Sequence, residues 1–293
     1  MNHDNPSLFT KQLTSNQKAL NNLKFGNYFR TALVVAHQED TTNLCRELEQ
    51  EGFRVTVIKR NYSEQEKTLP RAIKCLLNHS SAWQVVCESS EPALIVEADF
   101  VPCKGIASFP MPYCPQEPGP KVAYVYAAGP VAYHIDQNGD CYGHAATNVA
   151  YTVDPEAASL WLELLQEHQA SRDFSKYYQW DVEMPVDLRH QKRVRLYISM
   201  KDYGEHGGIP NPEHSANGIT QWHQAASLMA PLAFMPPYAQ GSLLKYKYFR
   251  ARSRARYVYK FLAGKYFDNW KRFASLKPSR PQKFLFAFRR PFL

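Results

Sequence analysis

The sequence predicts an α/β domain followed by a basic, aromatic, helical C-terminal extension. Three observations carry this. The apolar run 32–36, an amphipathic segment and the Val/Ile-rich run 53–58 follow one another at the short spacing of a parallel βαβ unit. A second helical stripe and a third apolar strand, 93–96, continue the alternation. The third is the separation of charge. From Lys245 onward the chain carries 15 basic residues and 1 acid, whereas the first 244 residues carry 20 basic and 26 acidic groups.

The elements follow in order. Residues 1–27 are polar and Asn-rich without a clear period, and are expected to form a mobile or loosely docked arm. The run from Ala32 to Ala36 is apolar on both faces, as a buried parallel strand requires. Asp40 or Thr41 caps the next helix, whose inner face is Leu44, Cys45 and Leu48 and whose end is Gly52. Phe53 to Ile58 is the second strand. Ile73, Leu76, Leu77, Trp83 and Val86 keep a helical stripe from about 70 to 88. The third strand ends in Glu97-Ala98-Asp99. Pro-rich residues 101–120 read as loop. Residues 122–126 and 146–153 read as strands, and Asp154-Pro155 starts a helix that runs to about His168. Residues 202–218, rich in Gly, Pro and His, read as a long loop, and 243–273 as a helix.

With 293 residues, 44% hydrophobic and 13% aromatic, the chain has enough apolar content for a real core, which excludes general disorder. No uninterrupted apolar stretch of about 18 residues occurs, so no transmembrane helix is expected. Met1-Asn2-His3-Asp4 does not open a secretory signal. The six cysteines form no Cys-x-x-Cys pair, which argues against a zinc module and for free thiols.

Two carboxylates one residue apart at the end of a buried strand are the most informative local feature. In open α/β sheets ligands bind beyond the carboxyl ends of strands. Carboxylate oxygens suit Mg²⁺ or Mn²⁺, which such sites share with substrate phosphates. Glu97 and Asp99 therefore form a candidate bridge between a metal and a nucleotide diphosphate, or a strand end carrying solvated acids.

The context narrows the choice. The helix reads Cys75-Leu76-Leu77-Asn78-His79-Ser80-Ser81-Ala82-Trp83, and the strand reads Leu94-Ile95-Val96-Glu97-Ala98-Asp99. Downstream come Thr147-Asn148-Val149-Ala150-Tyr151, with Ala157, and Met184-Pro185-Val186-Asp187. In this order, over roughly 30–235, these segments resemble glycosyltransferase family 25, the lipopolysaccharide-type and collagen-type galactosyltransferases. That family shows Cys, Ser-His and Trp on one helix, a strand ending Glu-Asp-Asp, a Thr-x-x-Ala-Tyr strand and Pro-Val-Asp. The resemblance implies a GT-A-like nucleotide-binding sandwich over residues 28–240, with 1–27 as an arm and 241–293 as an appended tail. It implies transfer of a hexose, with inversion, from a nucleotide-sugar donor to a saccharide acceptor of lipopolysaccharide or another surface glycan.

On the same resemblance Asp99, with Glu97, would hold Mn²⁺ or Mg²⁺, and His206 or His214 would complete its shell. Asn78, standing where the family has Ser, and His79 would face the donor; alternatively His79 fixes its helix to the sheet. Asp187 would be the base that deprotonates the acceptor hydroxyl, or would position the acceptor. Gly207-Gly208 would let the late loop close over the donor. Two departures stand out. Ala98 replaces the middle acid, so a chain that needed that carboxylate would be a degenerate homologue or metal-independent. Arg71 and Lys74 replace parts of a Gly-Glu-Ile-Gly run and form a basic pair that either faces the donor phosphates or lies on the surface.

The tail's charge points to an anionic partner. An anionic membrane surface fits its interleaved aromatics and a lipid-linked acceptor, and places the protein in the cytoplasm against the inner face of the membrane. The rival is a protein that binds RNA through the tail, by phosphate contacts and base stacking. Nucleic acid is disfavoured by the net-acidic body and the lack of an RNA-recognition motif.

Overall fold

The computed structural model describes residues 23–136, 140–208, 216, 224–263, 281, 284, 286–288 and 290. Its strands are β1 (Thr31–Val35), β2 (Arg54–Ile58), β3 (Ala93–Glu97), β4 (Phe100–Pro102), β5 (Lys121–Tyr124), β6 (Val131–Ile135), β7 (Cys141–His144), β8 (Ala150–Val153), β9 (Arg195–Ile198) and β10 (Gly204–His206). Among the described residues, helices longer than one turn include α1 (Thr42–Gln50), α2 (Arg71–Ser89), α3 (Pro155–Ser171), α4 (Trp180–His190) and α5 (Leu243–Leu262).

Eight strands form one mixed sheet in the order β2-β1-β3-β8-β5-β9-β7-β6. β2, β1 and β3 run parallel. β8 is antiparallel to both β3 and β5, and β9 lies parallel to β5. β4 and β10 form a separate two-stranded antiparallel sheet. This is a mixed α/β architecture, as the sequence predicts.

The alternation of the central strands decides which layer each side chain joins. Leu33, Val35 and Ile95 face one side and pack with Trp83, Trp161, Met184 and Leu188 of α2, α3 and α4. Ala32, Val34, Leu94 and Val96 face the other, under Leu44 and Leu48 of α1 and Phe100 of β4. Trp83 and Trp161 stack with ring centroids 4.8 Å apart where α2 meets α3. Asp154 caps α3 as expected, accepting from the Ala157 amide at 2.8 Å. At α1 it is Asp40, not Thr41, whose side chain accepts from the Thr42 amide.

Several expectations change. A polar arm reaching residue 27 conflicts with Phe25, which is fully buried beside Phe29 and Tyr203; residues 1–22 lie outside the described chain. The 101–120 region carries β4 at its start and a 3₁₀ turn, Ile106–Ser108. The 202–218 loop begins with β10. The β6–β7 hairpin, β9 and α4 had no counterpart in the sequence reading. The C-terminal helix ends at Leu262, and residues 264–280 lie outside the described chain.

The tail is joined to the body by buried ions. Arg250 of α5 donates to Glu205 Oε2 at 2.5 Å and to the Ala225 carbonyl at 2.7 Å. Tyr238 donates to the other oxygen of Glu205, Oε1. Arg290 makes a two-pronged contact with Asp202, 2.8 Å to each oxygen. The carboxylates of Glu205 and Asp202 are both fully buried. Burial lifts the pKa of each acid, and the arginine opposite it pulls back down.

Candidate functional site

A cavity of about 550 Å³ opens beyond the carboxyl ends of β1 and β3. Val35, Ala36 and His37 line it from β1, and Glu97, Ala98 and Asp99 from β3. These are the strand ends at which an open α/β sheet leaves a crevice.

Three metal-competent groups meet there. Glu97, Asp99 and His206 bring one ligand atom each within 4.8 Å of one another. The backbone explains how distant residues converge. β4 begins right after Asp99, and its pairing with β10 sets His206 opposite Phe100. The Gly207 amide then donates to the Asp99 carbonyl at 2.8 Å. His206 Nε2 lies 3.2 Å from Asp99 Oδ2. Burial draws the imidazole pKa down, but Asp99, with Glu97 and Glu205 behind it, outweighs burial and lifts it to about 9. Gly207 and Gly208 permit the close approach. A Cβ on Gly208 would stand 2.2 Å from Asp99 Oδ2, and one on Gly207 2.9 Å from the Asp99 carbonyl. The pair thus packs against the acids instead of forming an open hinge.

Glu97 is held from behind. His79 is fully buried on α2, its Nε2 3.3 Å from Glu97 Oε1 and its Nδ1 2.9 Å from the Tyr151 hydroxyl. Trp83 Nε1 donates to that hydroxyl oxygen at 2.8 Å. An indole N–H only donates. The assignment that pairs every proton therefore has Tyr151 donate to His79 Nδ1 and His79 Nε2–H donate to Glu97. The Cys75 thiol, kept protonated by burial and by the Glu97 charge, lies 3.7 Å from the same Glu97 oxygen. One carboxylate oxygen is thus anchored from α2. Cys75, His79 and Glu97 also sit within ligand spacing of each other, but this hydrogen bonding makes them the back wall of the site.

The remaining sequence candidates divide. Asn78 lines the cavity, yet its amide is engaged with the Ala36 carbonyl at 2.7 Å and the Arg60 N–H at 3.2 Å, tying β1 to the chain after β2. His79 lies behind Glu97 and is not among the lining residues. Asp187 is not among them either. Its carboxylate is 3.2 Å from His168 Nε2, a contact between α4 and α3. His214 lies outside the described residues. Arg71 and Lys74 both face the cavity.

Other lining residues carry chemistry to which the sequence pattern assigns no role. Asp181, one residue into α4, lines the cavity with Trp180 and Tyr177. Burial, aided by the Glu97 charge, raises its pKa to about 7. Its signal was the spacing of Trp180, Met184 and Leu188, an i, i+4, i+8 stripe that makes 180–190 a helix and points Asp181 off the core edge. Asn148 is 2% exposed, and neither end of its amide makes a hydrogen bond within the described chain; the Thr147 hydroxyl is likewise unmatched. Buried polar atoms are nearly always satisfied, so orphans on a cavity wall await a ligand or water. His37 and Tyr62 form an edge-to-face pair at the mouth, ring centroids 5.4 Å apart.

Two carboxylates and one imidazole are donors competent for a divalent cation: the carboxylates suit Mg²⁺ or Mn²⁺, and the imidazole favours a transition metal such as Mn²⁺ over Mg²⁺. Among the described residues, no helix is long and apolar enough to cross a membrane.

No protein-family model matches the chain, and no curated protein matches it. The family 25 resemblance therefore rests on the quoted motifs alone. A solved structure of a glycosyltransferase involved in the glycosylation of the major capsid of PBCV-1 aligns with 57% of this chain and 80% of its own, at 11% identity and a TM-score of 0.38. A likeness that slight carries no argument about function.

Proposed function

We propose that the cavity binds a nucleotide-sugar donor and that the protein is a glycosyltransferase acting on a saccharide hydroxyl. The observation that supports this best is the convergence of Glu97, Asp99 and His206 at the carboxyl end of β3, beside the cationic Arg71 and Lys74. His206 supplies the third ligand position that Ala98 leaves without a carboxylate, which favours a working site over a degenerate one.

Glu97, Asp99 and His206 would hold Mn²⁺ or Mg²⁺, which when bound offsets the charge of a leaving diphosphate. Arg71 and Lys74 bind phosphate oxygens, and the unmatched Asn148 amide and Thr147 hydroxyl orient the sugar or diphosphate. The His37–Tyr62 pair at the mouth offers an aromatic surface to the nucleoside base. Asp181 accepts the proton of the acceptor hydroxyl as its oxygen bonds to the anomeric carbon. The bond from that carbon to the diphosphate breaks with its electron pair on the diphosphate, inverting the centre. A carboxylate with a pKa near neutrality suits that role, and Asp181 faces the cavity where Asp187 does not. The acceptor class is a surface glycan such as lipopolysaccharide.

The test is calorimetric titration of uridine, guanosine, cytidine and thymidine diphosphates with and without Mn²⁺, followed by donor hydrolysis with the corresponding nucleotide sugars. One nucleotide should bind measurably more tightly with Mn²⁺ than without it, because its phosphates share the metal with the protein carboxylates, and Asp99→Asn should abolish the difference. If no nucleoside diphosphate binds with the metal present, the reading is wrong.

A further inference from the structure

Helix α5 is amphipathic twice over. One face holds Arg250 and Tyr257, both buried against the body. The other presents apolar side chains to solvent at helical spacing: Leu244 is 80% exposed, Tyr248 61%, Tyr259 59% and Leu262 76%, with exposed Ala251 and Ala255 between them. Positions 244, 248, 251, 255, 259 and 262 advance by three or four residues each time, so they form one continuous stripe. Basic side chains flank it on both sides, Lys247 and Arg254 on one and Lys245, Arg252 and Arg256 on the other, and the helix contains no Asp or Glu. Beside its C-terminal end, the exposed Phe284 and Phe288 stack 6.0 Å apart and reach Phe261.

We propose that this outer face of α5 docks on an anionic membrane surface, with the helix lying in the plane of the headgroups. The charge pattern selects that partner. An apolar stripe a few side chains wide, bordered by Lys and Arg, places leucines and tyrosines at the acyl boundary while the cations stay with the lipid phosphates. A second copy of the chain is disfavoured because apposed α5 helices would set two rows of like charge against each other. The inference is independent of the proposed reaction. It also separates the tail's two jobs: Arg250 and Tyr257 fasten the helix to the body, and the side chains opposite them meet the lipid.

The experiment is vesicle co-sedimentation of the full chain with neutral phosphatidylcholine and with mixtures containing phosphatidylserine, at low and high salt. The wild type should bind the anionic vesicles, less at high salt because the attraction is screened. Leu244→Ser/Tyr248→Ser/Leu262→Ser changes only exposed positions, so its melting temperature should match the wild type, while vesicle affinity should fall roughly tenfold or more. Failure of the wild type to bind anionic vesicles at low salt would overturn the proposal. So would unchanged affinity in the triple variant, or a wild-type dimer that the triple variant dissolves in solution.

Discussion

Replacing Arg250 with Ala should destabilise the protein in a manner that depends on pH. Glu205 has no exposed side-chain surface, and Arg250 is its cationic partner. Removing one member of a buried pair usually costs about 3–5 kcal/mol, because the other charge is left without compensation. Glu205 has a second route: it can take up a proton. Its ordinary value is 4.5. Holding such a group neutral in the fold while it ionises on unfolding costs about 3.4 kcal/mol at pH 7 but only about 0.8 kcal/mol at pH 5. The smaller of the two penalties governs, so neutralisation caps the electrostatic loss. The hydrogen bond to the Ala225 carbonyl adds about 1 kcal/mol that does not vary with pH. The sign follows from linkage: an acid with a raised folded pKa binds more protons in the folded state, so the variant loses stability as pH rises from about 4.5 toward neutrality. Urea unfolding followed by tryptophan fluorescence should therefore give a larger gap from wild type at pH 7 than at pH 5. Arg250→Ala/Glu205→Gln should recover most of that difference. A loss below about 1 kcal/mol at pH 7, or an equal loss at both pH values, would show that the pair does not hold the tail to the body.

Two further perturbations address the site. Gly208→Ala places a methyl where Asp99 Oδ2 and His206 sit, so Mn²⁺-dependent nucleotide binding should weaken by about 10–100-fold with little change in melting temperature; unchanged metal dependence would remove Asp99 and His206 from the metal shell. Asp181→Asn should lower glycosyl transfer about 10²–10⁴-fold while leaving nucleotide affinity nearly intact. In the wild type the rate should fall as pH drops through about 7, where Asp181 gains its proton, and the residual rate of the variant should lack that limb; a shared pH profile would assign the base elsewhere.

In the parallel half of the sheet, β1 and β3 are legible because they are buried on both faces and flanked by helices with clear apolar stripes, whereas the edge strand β2, with no fully buried side chain, shows only through its Val and Ile content. Ala32 to Val35 and Ala93 to Val96 show no polar interruption, which is what a strand sandwiched between two layers needs. The other half was hidden for physical reasons. β9 is short and mixes Arg195 with apolar residues. Tyr133 and His134 of β6 and Tyr142 of β7 mix aromatic and polar character, so neither strand of the hairpin reads as an apolar run. α4 contains Pro185, which in isolation argues against a helix; burial of Trp180, Met184 and Leu188 outweighs that penalty. Losing α4 meant losing Asp181, because a carboxylate becomes a candidate base only when a helix turns it into the cavity. At the site, the Glu97–Asp99 strand end was legible from the sheet rule alone. His206 was one of two candidates from the same loop, and β4–β10 pairing, invisible in the sequence, brings it to Asp99.

Treating residues 241–293 as an appended tail implies that 28–240 would fold without them, and β10 argues otherwise. Successive strand residues point to opposite faces. Glu205 turns toward α5 and is neutralised by Arg250, while His206, the next residue, turns toward Asp99. One three-residue strand therefore carries the anchor of the tail on one face and a candidate ligand of the site on the other. Cutting the chain at 240 removes the cations opposite both Glu205 and Asp202, leaving two fully buried carboxylates without their partners. The strand that presents His206 would lose its support from the rear, and the register that sets Gly207 against the Asp99 carbonyl would lose it too. The basic tail is thus joined to the body on its inner face, while its outer face is the one proposed above to meet an anionic surface. Neutralising the outer face should leave the site intact, whereas breaking Arg250 should disturb both stability and metal-dependent nucleotide binding.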